Sequence, residues 1–157
     1  MKLAAKVGIG AVIALAVLPL LAVGGLAVSG VTPLALGAHD PVQNDDGTAL
    51  GGYDVVSLFE APPGALGTDA HTMDWHGATW RFASAENLAK FQAAPAQYMP
   101  QCGGYCAFAA TKGFAAASNP STATIVDGKL FVFAEADVKD AALSDADTME
   151  AACANFQ

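Results

Sequence analysis

Charge is scarce in this chain, and basic charge scarcest: 14% of the 157 residues are charged, with 7 Lys and Arg against 15 Asp and Glu. Lys2 and Lys6 precede an apolar run, so the remainder carries only five basic groups and every acidic one. A surface this acidic cannot neutralise a row of phosphates, which excludes nucleic acid as a partner. It also repels anionic lipid head groups. The chain lacks a G-x-S-x-G elbow, a P-loop, a G-x-G-x-x-G fingerprint and an H-E-x-x-H helix, so hydrolase, nucleotide-binding and zinc-protease readings have no support. Cysteine is limited to 3 residues, so one intramolecular bridge at most can form and one thiol is left over.

Apolar residues are plentiful, at 54% with a mean hydropathy of +0.38, and the excess lies at the front. Val7 to Val28 is broken only by Pro19 and matches the roughly 20 residues needed to cross a hydrocarbon core. Lys2 and Lys6 place its start on the cytoplasmic side, so the downstream chain is exported to the periplasm or the cell exterior. Ala27-Val28-Ser29 suits a signal peptidase, while the glycines and the long apolar run suit an uncleaved inner-membrane anchor equally well. The expected organisation is a leader over 1–30, a Gly/Pro/Asp/Asn-rich tether over 31–46 and one domain over 47–157.

Within that domain, Tyr53 to Phe59 is too short to assign between strand and helix. His71 to Trp75, a His76-Gly77 turn and Ala78 to Phe82 predict a hairpin. Ser84 caps a helix from Ala85 to about Ala94, which Pro95 ends. Thr122 to Val126, Asp127-Gly128 and Lys129 to Phe133 form the strongest hairpin signal, because Asp-Gly supplies the positive φ angles of a two-residue turn. The tail is helical, with Ser144 opening a last helix whose Met149, Ala152, Cys153 and Phe156 share one face. The second half keeps the order of the first without repeating its sequence. The fold class expected is α+β, a small antiparallel sheet of hairpins with packed helices, preceded by a transmembrane or signal helix.

The chemistry is concentrated in Pro100-Gln101-Cys102-Gly103-Gly104-Tyr105-Cys106-Ala107. Cys153 on the apolar face of the last helix reads as the odd, inert thiol. Cys102 and Cys106 share a face if the segment is helical, and a helix starting near Gly103 would lower the Cys102 pKa. This spacing admits three readings: a redox pair with Cys102 as nucleophile and Cys106 as resolving thiol, a soft-metal site for copper or zinc, or structural cysteines. The metal site would join Cys102 and Cys106 to His71, His76 or His39. Tyr105 would form a lip of the site and Tyr53 a second binding aromatic, while Asp40 and Asp54 read as turn and cap residues.

Asp40-Pro41-Val42, Gly52-Tyr53-Asp54-x-Val56, Trp75-x-Gly77-x-x-Trp80-x-Phe82-Ala83-Ser84-x-x-Asn87, Gly103-Gly104-Tyr105-Cys106-Ala107 and Asp127-Gly128-Lys129-Leu130 resemble the long, exported form of the YHS domain, from about Asp40 to Phe133. Short YHS modules carry metal-binding cysteines at positions that are Gln43, Ala83 and Asn87 here, so the resemblance brings no such site. Some long members have selenocysteine where this chain has Cys102, which implies redox chemistry. The expected partners are a redox or metal-transfer protein and, if the leader is retained, the inner membrane. A non-catalytic structural or interaction domain is the remaining alternative.

Overall fold

The structure is a computed structural model and describes residues 31–154 and 156. Residues 7–28, expected as a leader, lie outside the described residues; among those described, no helix is long and apolar enough to cross a membrane. The described chain is α+β, with strands β1 Val31–Pro33, β2 Asn44–Asp45, β3 Thr48–Ala49, β4 Thr68–Trp75, β5 Ala78–Phe82, β6 Phe114–Ala116, β7 Asn119–Val126 and β8 Lys129–Phe133. Its helices are α1 Val55–Glu60, α2 Ala85–Ala93, α3 Pro95–Tyr98, α4 Ala107–Thr111, α5 Ala136–Leu143 and α6 Ala146–Ala154. The strands form three small sheets, ordered β1-β6, β2-β3-β5-β4 and β7-β8. All pairings are antiparallel except β3 with β5, a departure from the all-antiparallel sheet expected.

Both expected hairpins form. In each, the turn pair takes the left-handed region: His76 and Gly77 at φ 49° and 79°, Asp127 and Gly128 at 48° and 73°. That geometry matches the right-handed twist of the flanking strands. A third turn of this kind, Asp46-Gly47, joins β2 to β3 within the stretch expected as a tether. Residues 31–46 are therefore part of the domain: β1 pairs with β6, and Val42 is fully buried. The run from Tyr53 to Phe59 turns helical at Val55 because Asp54 caps α1, its Oδ1 accepting from Val56 N at 2.9 Å and Ser57 N at 3.2 Å. Ser84 caps α2 through Asn87 N at 3.2 Å. The last helix begins at Ala146, with Asp145 Oδ1 accepting from Thr148 N, two residues beyond the expected opening at Ser144.

Two apolar cores result. On β5, Ala78, Trp80 and Phe82 point inward, where Trp80 and Phe82 each meet Phe91 of α2 with ring centroids 5.2 Å apart. Val42, Leu50, Val55, Val56 and Leu58 complete that core, each fully buried side chain stabilising the fold by about 1.5–3 kcal/mol. The second core gathers Cys102, Cys106, Phe131, Phe133, Met149 and Cys153. Strand β8 serves both, with Leu130 in the first and Phe131 and Phe133 in the second.

A structural repeat underlies this division. Leu50, Gly51 and Gly52 have φ of 50°, 58° and 82°, and Cys102, Gly103 and Gly104 have 54°, 60° and 84°. In each half a tyrosine comes next, and then the residue that begins a helix, Asp54 before α1 and Cys106 before α4. Asp54 Oδ2 accepts from Ala83 N at 2.8 Å, just past the first hairpin. Cys106 Sγ accepts from Ala134 N at 3.4 Å, just past the second. The thiol thus occupies the place that a buried carboxylate fills in the first half.

Candidate functional site

The disulfide joins Cys102 to Cys153, with Cα atoms 4.5 Å apart, and Cys106 is the free, buried thiol. This corrects the expected Cys102–Cys106 pair and the expected spare Cys153. The reason is backbone geometry. Cys102 and Gly103 are left-handed, Tyr105 is extended at φ −70° and ψ 165°, and the helix starts only at Ala107, so Cys102 and Cys106 never share a helical face. The left-handed turn packs instead against α6, which carries Cys153. Closing a loop between residues 51 apart in sequence stabilises the fold by about 4 kcal/mol in the chain-entropy account.

The other expected site residues are dispersed. Tyr53 bridges Leu66 and packs against the first core. His71 lies on β4, and His76 is exposed at the hairpin tip with its ring 3.9 Å from that of Trp75. Among the described residues no three His, Cys, Asp or Glu side chains come together to hold a metal ion. Cys102, Cys106, His71 and His76 therefore do not form the metal site expected from spacing, and Cys102 is committed to a disulfide.

Tyr105 does line a site, and its partners come from the supposed tether. Asp40-Pro41-Val42 lies across the Gly103-Gly104 turn: Gln43 N donates to Gly103 O at 2.8 Å, and Gln43 O accepts from Leu50 N at 3.1 Å. One backbone residue thus links the two repeated turns. Glycine is required where the turn meets the strap, since a Cβ on Gly103 would lie 2.3 Å from Pro41 O; Gly104, at φ +84°, would place one 2.5 Å from Leu50 Cδ2. Beside this strap of residues 40–42, and bounded by Thr32 of β1 and Ala115 of β6, opens a cleft of about 380 Å³, lined by Thr32, His39, Asp40, Gln43, Asn44 and Tyr105 with three alanines.

Its polar groups are held in place. Asp40 Oδ2 accepts from Asn44 Nδ2 at 3.0 Å, and Asn44 Oδ1 accepts from Gly47 N at 3.1 Å, anchoring the strap to the β2–β3 turn. His39 Nδ1 donates to Asp40 O at 3.0 Å. The rings of His39, Tyr105 and Phe156 cluster, with centroids 5.7 Å apart for His39 and Tyr105, 4.8 Å for His39 and Phe156, and 5.4 Å for Tyr105 and Phe156. Burial raises the Tyr105 pKa above its ordinary value; the Asp40 carboxylate raises it further, while a backbone hydrogen bond at Asp40 opposes both. Tyr105 consequently keeps its O–H as a donor at neutral pH. Sequence reasoning missed Thr32, Gln43 and Asn44; the overlooked signal was Asp46-Gly47, a hairpin pair that marks the preceding residues as folded.

No family model, curated protein or solved structure matches this chain.

Proposed function

We propose that this chain is an exported, YHS-like binding domain that recognises a small polar ligand in the cleft lined by Asp40, at the start of the strap, and Tyr105, at the end of the Gly103-Gly104-Tyr105 turn, without catalysing a reaction on it. The observation that carries this reading is the convergence of two motif fragments, distant in sequence, on one pocket with several convergent polar groups. The Cys102–Cys153 bond acts in this reading as a staple that holds the turn, and with it Tyr105, against α6. Backbone amide chemical-shift mapping with a panel of small cations, anions and neutral molecules tests it. Saturable shifts at His39, Gln43, Asn44 and Tyr105 support it, and shifts scattered elsewhere or absent contradict it.

A second reading is a thiol–disulfide module, suggested by a disulfide that sits in the same turn as Tyr105 of the cleft: Tyr105 N donates to Cys102 O at 3.0 Å, and Cys102 is bonded to Cys153. A dithiol of an exported partner protein would attack Cys153 Sγ and release Cys102 as a thiolate. The partner's second thiol would then close the partner's own disulfide and leave both cysteines here reduced. Equilibration in dithiol buffers separates the readings: a bond poised near −200 mV supports exchange, and one below about −300 mV a staple.

A further inference from the structure

We infer that the cleft takes a small organic cation bearing N–H donors, a primary ammonium or a guanidinium, held by the Asp40 carboxylate against the Tyr105 ring. This rests on the binding reading and names its ligand class.

Among the described residues that line the cleft, Asp40 alone carries a fixed charge, and none is Lys or Arg. An anion entering it would meet a carboxylate and no counter-charge. Because Asp40 O can only accept, His39 Nδ1 is the donor in that contact. Asn44 bonds to Oδ2 of Asp40, and among the described residues Oδ1 accepts no hydrogen bond, which leaves it to a ligand. Ser118 Oγ gives its one proton to Gly104 O at 2.6 Å and stands 3.5 Å from Gln43 Oε1, which therefore receives no hydrogen bond from it.

Charge-assisted hydrogen bonds from an ammonium or guanidinium to a carboxylate are about twice as strong as neutral ones. An adjacent aromatic face adds attraction for the same cation. The wider field agrees, because the chain from His39 onward has five basic and fifteen acidic residues, which draws cations toward it. Of the basic residues, Arg81, Lys90 and Lys129 are paired with Asp69, Glu60 and Glu150, and Lys112 lies over the Phe108 ring.

The test is titration calorimetry, with amide shift mapping, of the full chain against n-butylammonium, the neutral butyramide and the anion butyrate. Butylammonium should bind with shifts at His39, Gln43 and Tyr105, and Asp40→Asn, which removes an exposed carboxylate, should weaken it by about threefold to fivefold. That variant keeps an oxygen for Asn44, and an unchanged amide spectrum away from the strap confirms its fold. Butyramide binding equally well at the same residues, or an unchanged affinity in Asp40→Asn, would overturn the cation assignment and leave the binding reading standing. Absence of shifts at the cleft with all three probes would overturn both.

Discussion

Gly103 and Pro41 touch backbone to backbone, with no room between them for a side chain: a Cβ on Gly103 would stand 2.3 Å from Pro41 O. Gly103 also sits at φ +60°, a region that costs an L residue of order 1–2 kcal/mol. Gly103→Ala should therefore lift the strap from the turn, destabilise the domain by more than about 2 kcal/mol and abolish binding at the cleft. Denaturant unfolding and shift mapping check this, and Gly47→Ala, which meets nothing within 4 Å, is the comparison for the positive-φ cost alone.

Asp54 is fully buried and accepts from Val56 N, Ser57 N, Ala83 N and Asn87 Nδ2, the last at 2.6 Å. Asp54→Asn would set an amide donor against these donors and should cost about 2–4 kcal/mol. Asn87→Ala removes one charge-assisted bond and should cost about 1.5–3 kcal/mol. Chemical denaturation of the two variants gives both values. The equivalent bond in the second half, from Ala134 N to Cys106 Sγ, keeps an oxygen acceptor in Cys106→Ser, which should remain folded with its disulfide intact.

Cys153→Ser should lose about 4 kcal/mol of stability by releasing the staple. It should also weaken cleft binding, because α6 no longer fixes the turn that presents Tyr105. Unfolding curves of Cys153→Ser and of the reduced parent should coincide within about 1 kcal/mol if the bond acts mainly as a cross-link.

Tyr105 ionises above the ordinary tyrosine value of 10.0, through burial first and the Asp40 charge second. The folded chain holds this proton more tightly than the unfolded chain does. The linkage therefore has no effect well below pH 10, and stability falls as pH rises through and beyond it. Tyr105→Phe should flatten that alkaline loss. Asp40→Asn should shift the Tyr105 ionisation downward, read from tyrosinate absorbance as the difference between each variant and the parent.

The local signals that the sequence carries are those set by short-range geometry. His76-Gly77, Asp127-Gly128 and Ser84 marked their turns and cap because a positive φ or a side-chain oxygen decides the matter within a few residues. Asp46-Gly47 offered the same signal, but its surrounding Gly, Pro and Asp composition read as a tether, so the strap and half of the cleft were missed. The cysteine pairing was not legible. Helical spacing brings Cys102 toward Cys106 only if the backbone is helical, and three consecutive left-handed residues carry Cys102 to α6 instead. The Gly-Gly-Tyr run occurs twice, at 51–53 and 103–105, yet its meaning emerges only when the two turns share the φ pattern and the Ala83 and Ala134 contacts.

The linkage of the three cysteines tests the central claim, a stapled turn supporting a recognition cleft, most directly. Alkylation of the native domain, then proteolysis without reduction and mass spectrometry, should give one cross-linked peptide pair joining Cys102 to Cys153, with Cys106 modified only after unfolding. A native population linked through Cys102 and Cys106, or a Cys102 that alkylates freely in the folded protein, would contradict the account.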